Sequence, residues 1–187
     1  MPADVFRMLI CGPSNSGKTN VLLHMLYRLL EFDKIYLFSK NLHQNKYEAL
    51  LQDFAERINP ELVTRSLSPR RWNHSTRGAT GGQPKSCCLW WSGESNQNSI
   101  INYFINGRHR NCCVIYLTQT FYKVPKNIRD NCSHFCILRF LPRENKRIAD
   151  EIGVDHATLD RATDKKYSFF YYDKPQKLMK KNFDEAI

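Results

Sequence analysis

Apolar residues fall along this chain in short continuous runs that alternate with stretches of helical spacing. Phe6-Arg7-Met8-Leu9-Ile10-Cys11 has the length and character of a buried strand, and from Lys18 onward Val21, Leu22, Met25, Leu26, Leu29 and Leu30 return at the spacing of one helix face. Residues 34–39 predict a second strand. Residues 46–58, with Tyr47, Leu50, Leu51 and Phe54 on one side, predict a helix closed by Asn59-Pro60. From 65 to 86 the pattern is lost: Pro69, Gly78, Gly81, Gly82 and Pro84 stand among arginines and lysines, which reads as a basic loop without periodicity. Such a loop is long for a small domain. Order returns with a strand at 87–91, an amphipathic helix at 98–105 and a strand at 112–117 running into Thr118-Gln119-Thr120. A short turn or helix follows at 125–130, a strand at 135–140, a helix at 144–152 ended by Gly153, and an aromatic strand at 167–172. Strands alternating with helices predict an α/β fold with a mainly parallel sheet flanked by helices.

Between the first strand and the first helix stands Gly12-Pro13-Ser14-Asn15-Ser16-Gly17-Lys18-Thr19, which fits G-x-x-x-x-G-K-[ST], with Asn20 behind it. The motif has the context it needs. Two glycines let the backbone fold around a phosphate, with its N–H groups turned inward at a helix N-terminus. Lys18 is then placed to neutralise the β- and γ-phosphates, and Thr19 to put its hydroxyl on the Mg²⁺ that bridges them. The expected ligands are ATP, or GTP, with Mg²⁺, on a P-loop NTPase core.

Composition narrows the picture. A chain of 187 residues without a Gly/Ser/Pro linker is expected to form one domain, with an atypical basic segment at 65–95 and a basic tail at 174–187. Lysine and arginine number 28 against 18 carboxylates, a formal net charge of +10 that suits a polyanionic partner or simply a basic surface. The seven cysteines lie mostly in apolar runs without paired CxxC spacing, as expected of buried, reduced thiols in an intracellular protein. Cys132, His134 and Cys136 alternate along a strand and read as core, so no zinc is assigned. No stretch resembles a signal segment or a membrane span, and no membrane partner is expected.

The acidic half of a nucleotide-hydrolysing site is harder to place. Such sites use an apolar strand ending in carboxylates that organise Mg²⁺ and polarise the attacking water. Between Glu61 and Asp130 the only carboxylate is Glu94, in Ser92-Gly93-Glu94. It is either a displaced catalytic glutamate or, the preferred reading, an ordinary loop acid. Asp173 follows the apolar run 168–172 and imitates the pattern, but a place so near the C-terminus reads as an edge strand.

Residues 102–111 (Asn-Tyr-Phe-Ile-Asn-Gly-Arg-His-Arg-Asn), 114–119 (Val-Ile-Tyr-Leu-Thr-Gln) and 125–131 (Pro-Lys-Asn-Ile-Arg-Asp-Asn) resemble the poxvirus-type genome-packaging ATPases of the FtsK/HerA-like superfamily. Relatives of that family occur in large DNA viruses and in Polinton- and adintovirus-like elements. The resemblance covers 5–58 and 96 to about 175 and is absent from 65–94. It implies a RecA/FtsK-HerA-like core in a homo-oligomeric ring that moves double-stranded DNA, with capsid proteins as further partners and the host nucleus or a cytoplasmic virus factory as its place. It also implies that Gln119 is the polar sensor of the γ-phosphate or attacking water. Arg108 matches an arginine finger that completes a neighbouring subunit's site, with Arg110 as a fallback. Arg129 is read as structural or DNA-facing. Lys123, Lys126 and Arg129 line a DNA channel or form a solvated basic face, and Lys174, Lys177, Lys180 and Lys181 are read as solvated tail charges. The family's strand ending in adjacent acids is not recognisable here. We hypothesise that 65–95 are read from a shifted frame or a mis-spliced gene. Two other readings stay open: a nucleotide-binding relic without hydrolysis, and a P-loop kinase for a small molecule.

Overall fold

The structure is a computed structural model that describes residues 5–30, 34–38, 48–49, 52–53, 63–66, 86–91 and 98–187. The chain forms two compact units, Met1–Arg7 with Leu23–Tyr116, and Met8–Leu22 with Leu117–Ile187.

The first unit holds strands β2 (Lys34–Phe38), β3 (Val63–Ser66) and β4 (Ser86–Trp91), helix α2 (Asn98–Asn106), a 3-10 turn (Gly107–Arg110) and most of β5 (Cys112–Thr118). Its strands are ordered β3-β2-β4-β5. β2 runs parallel to both neighbours, with Ile35 opposite Val63 on one side and Cys87 on the other. Every residue of β5 is buried, which is why it reads as an unbroken apolar run instead of an alternating one. Helix α2 turns Ile100 and Phe104 inward, and the Phe104 ring meets Tyr116 of β5 edge-on with centroids 6.4 Å apart. Helical backbone at 48–49 and 52–53 lies within the helix expected over 46–58.

The second unit contains nearly all of β1 (Arg7–Cys11), the start of α1 (Lys18–Arg28), a 3-10 turn (Phe121–Lys123), α3 (Lys126–Asn131), β6 (His134–Leu138), α4 (Pro142–Ile152), α5 (His156–Ala162), β7 (Phe169–Asp173), β8 (Leu178–Lys181) and β9 (Glu185–Ala186). β1 and β6 are parallel, Met8 opposite His134 and Cys11 opposite Ile137. β6, β7, β8 and β9 continue the order with antiparallel pairing. Met8, Leu9, Ile10 and Cys11 are fully buried. Helix α4 starts on Pro142 and stops at Gly153, whose φ of 77° takes the left-handed conformation that ends helices. Buried Asn145 on α4 accepts from Phe140 N at 3.2 Å and donates to Asp160 of α5 at 2.7 Å, so its amide is satisfied on both sides.

The α/β expectation holds: parallel pairs join β2 to β3 and β4 and β1 to β6, helices accompany them, and β6 through β9 pair antiparallel. All seven cysteines are buried thiols. Four readings need correction. Residues 65 and 66 belong to β3, a four-residue strand too short to display a period-two pattern. Tyr167 lies outside the last aromatic strand, which starts at Phe169. Asp173 does not end an edge strand, because β7 has β6 on one side and β8 on the other. Lys180 and Lys181 are not solvated tail charges. They sit half-buried on β8, Lys180 Nζ donating to Phe183 O at 3.0 Å and Lys181 Nζ to Asp164 at 2.8 Å, while Lys174 and Lys177 are exposed as expected. A four-residue strand that runs from two apolar residues into two lysines looks like a tail until a neighbour is there to pair with it.

Candidate functional site

The loop after β1 is closed by its own chemistry. Gly12 N donates to Thr118 O at 3.2 Å, which ties the end of β1 to the end of β5. A Cβ on Gly12 would lie 2.7 Å from both Leu138 Cβ and Ser16 Oγ, so only glycine fits there. Asn15 (φ 58°) and Gly17 (φ 104°) take left-handed conformations that fold the loop back, and Ser16 N reaches Pro13 O at 3.3 Å. Val21 N donates to Gly17 O at 3.0 Å and begins α1.

Lys18 is 4% exposed, and its ammonium donates to the carbonyl oxygens of Gly12 and Pro13 at 2.6 Å each. Burial pushes its pKa below the ordinary lysine value, because carbonyl dipoles replace hydration only in part. Ser16 Oγ is buried and has no hydrogen-bond partner among the described residues. Thr19 is half-buried and Asn20 exposed. A buried ammonium held by dipoles alone, an orphaned hydroxyl and a loop closed at a helix N-terminus form a cradle suited to an anion.

Gln119 joins this cradle from the sequence-distant end of β5. Ser14 Oγ donates to Gln119 Oε1 at 3.1 Å. Thr118, 4% exposed, fixes the turn: its Oγ1 accepts from Thr120 N at 3.2 Å and lies 3.1 Å from Thr120 O. On the other flank the register of β6 with β1 carries Leu138 against Gly12, and its pairing with Phe169 brings the chain before β7 to the same end. Tyr167 lies beside Gly17 there, its Cδ1 3.2 Å from where a Cβ would stand. Sequence reasoning missed both Leu138 and Tyr167. The only signal was their position at the loop-side ends of two strands, and no residue pattern marks that.

Other expected site residues are placed differently. Arg108 belongs to the first unit, in the turn Gly107–Arg110 with Arg110; Gly107 packs so closely that a Cβ would lie 3.2 Å from Cys112 O. Glu94 lies outside the described residues. Arg129 is structural: its Nε donates to Glu151 at 2.5 Å, its Nη1 donates to Val124 O, and its guanidinium lies 5.4 Å from the Phe121 and Tyr122 ring centroids. With its side chain 12% exposed, it does not face solvent as a DNA-gripping residue would. Lys126, 73% exposed, pairs with Asp130 at 2.6 Å. Asp173 is buried beside His134 (3.4 Å) and accepts from Gln176 N at 3.1 Å, which makes it a turn-holding acid. Cys132 Sγ donates to Ile128 O at 3.2 Å, and Cys136 is fully buried against Met8, its thiol pushed up by that burial.

Strand, loop and helix with a polar side chain delivered from a neighbouring strand define a P-loop NTPase fold. The family described as Poxvirus A32 protein matches residues 92–156. The DNA packaging protein OPG160 of Monkeypox virus is 28% identical over 165 residues, and the match covers 76% of this chain and 54% of that protein. The chain thus spans about half the length of that relative. The genome packaging NTPase B204 of Sulfolobus turreted icosahedral virus 2, solved with AMP, superposes with a TM-score of 0.65 at 16% identity over 97% of this chain and 98% of that one. Its complex with ATP-gammaS gives 0.62 at 14% identity over 95% and 96%. This chain resembles viral genome-packaging ATPases of the P-loop type in both sequence and fold.

Proposed function

We propose that this chain is the ATP-hydrolysing subunit of a viral-type DNA packaging or translocating motor. The observation that carries the reading is the hydrogen bond from Ser14 of the loop to Gln119, a residue 105 positions away, because a neutral polar group held against the phosphate loop supports its role as a γ-phosphate sensor. Lys18 and the loop amides hold the triphosphate, and the orphaned Ser16 hydroxyl gains a partner. Mg²⁺, held by Thr19 and the phosphates, supplies charge neutralisation when bound. Gln119 reads the terminal phosphate through an amide whose charge does not change with the ligand. Arg108 serves the neighbouring protomer of a ring, where a planar cation can neutralise charge developing on the transferred phosphoryl group. The net charge of +10 suits a DNA track, and capsid proteins complete the partners.

A second reading, nucleotide binding without turnover, is favoured by one observation: Glu94 is the only carboxylate between Glu61 and Asp130. ATP hydrolysis by the purified protein with and without double-stranded DNA separates the two. Stimulation by DNA is the result expected of the motor, binding without turnover supports the second reading, and phosphate transfer to a small acceptor would replace both with a kinase. Lys18→Ala is expected to weaken nucleotide binding roughly 10- to 100-fold, the worth of a lost charged hydrogen bond; unchanged affinity would remove the loop from the site.

A further inference from the structure

We infer that Tyr167 is the stacking platform for the base of the nucleotide whose phosphates the Gly12–Thr19 loop takes, an inference that rests on the nucleotide-binding reading above. The position follows from register. Cys11 stands opposite Ile137 and Leu138 opposite Phe169, so the residues just before β7 emerge at the end of the sheet where the phosphate loop begins. Tyr167 is there, with its Cδ1 and Cβ 3.2 and 3.9 Å from the point where a Cβ on Gly17 would stand, one residue before Lys18.

Two further features mark the residue. Tyr167 is 57% exposed, and with Leu141 (75%), which follows β6 at the same end, it is among the few large apolar side chains left in solvent among the described residues. Its backbone has φ 69°, a conformation that a bulky residue adopts only when its surroundings impose it. The surroundings do so here. Ser168 is buried, its Oγ donates to Lys165 O at 2.7 Å and accepts from Lys165 N at 3.2 Å, and Ser168 N donates to Lys165 O at 3.1 Å. That tight turn holds an aromatic ring out beside the loop when packing it inward would have been the ordinary outcome. Lys166 Nζ lies 4.9 Å from the ring centroid, so a cation already accompanies the ring. A nucleobase offers what this ring can bind: a flat π-face, reached from phosphates in the neighbouring loop. Stacking does not depend on which base is present, so the platform serves purine nucleotides without choosing ATP over GTP.

The test is calorimetric titration of the purified chain with Mg-ATP and, separately, with Mg-tripolyphosphate, which has the phosphates and no base. Tyr167→Asn removes the ring and tolerates the left-handed backbone, and Tyr167→Phe keeps the ring. Tyr167→Asn is expected to weaken ATP binding roughly tenfold, as loss of one base stack does, with tripolyphosphate affinity unchanged and Tyr167→Phe close to the parent. Equal ATP affinity in Tyr167→Asn and parent, or an equal loss for both ligands, would overturn the platform. Lys18→Ala serves as the companion control. If it leaves both ligands bound as before, the phosphate-loop reading fails; if it weakens both while Tyr167→Asn spares ATP, only the platform fails.

Discussion

Gly12 leaves no space for a methyl group, and Gly17, at φ 104°, leaves no backbone freedom for one. Gly12→Ala would push a Cβ to 2.7 Å from Leu138 Cβ and Ser16 Oγ. Overpacking of this kind is expected to cost about 1–3 kcal/mol, read by urea unfolding, and to weaken nucleotide binding as the loop shifts. Lys18 carries a pH dependence of its own. Its folded pKa is lowered from 10.5 by burial, so the cost of burying its charge is fully present below the folded value and is relieved as pH rises from there to 10.5. Nucleotide affinity runs the other way, because phosphate binds the charged form. It is expected to fall as pH rises through the lowered pKa, before an ordinary lysine would titrate; affinity flat up to pH 10 would remove Lys18 from phosphate contact. Both glycines and the lysine were legible from the motif, because spacing along the chain alone constrains a tight loop.

Helices and strands were legible to the extent that each carries its own periodicity. β1, β5 and β6 announced themselves as apolar runs, and α4 by its periodic apolar face and terminal Gly153. α5 and β8 did not: α5 has only seven residues, and β8 has four, two apolar and then two lysines, which gain meaning only beside β7. The segment after Gln119 shows the same limit. Arg129 could have gripped DNA, but the fold clamps it between Glu151, Val124 O and two aromatic rings, with Arg147 4.5 Å from the second ring, that of Tyr122. Arg129→Ala is expected to lower stability by about 1–3 kcal/mol without changing the salt dependence of DNA binding, and Arg129→Lys to restore little, since lysine lacks the planar fork. Lys126→Ala should instead leave stability nearly intact and reduce the salt slope by about one. A slope that follows Arg129 and ignores Lys126 would place the DNA track elsewhere.

For the whole molecule the open question is whether one protomer completes another's site. Arg108 stands in the turn Gly107–Arg110 of one compact unit, and the loop with Gln119 in the other. If Arg108 acts on a neighbour in a ring, Arg108→Ala and Lys18→Ala should each abolish hydrolysis alone, and mixtures of the two should regain part of it, measured as phosphate release against mixing ratio. Mixtures that stay inactive would assign Arg108 to its own protomer or to no site. Among the described residues no helix is long and apolar enough to cross a membrane. The hypothesis of a shifted frame over 65–95 rests on the coding DNA: an apolar strand ending in two acids in another frame supports it, and none in any frame ends it.

The sequence by itself determined the phosphate loop and the alternation of strands and helices, because those depend on neighbours within a few residues, while Gln119 and Arg108 became candidates only through the resemblance to the packaging ATPases. Only the tertiary structure decided that Ser14 meets Gln119, that Leu138 seals Gly12, that Arg129 turns inward and that Tyr167 stands exposed beside Gly17. Each of those depends on which strands lie side by side and in what register, and hydrophobic periodicity records only that a face is buried, not what it is buried against.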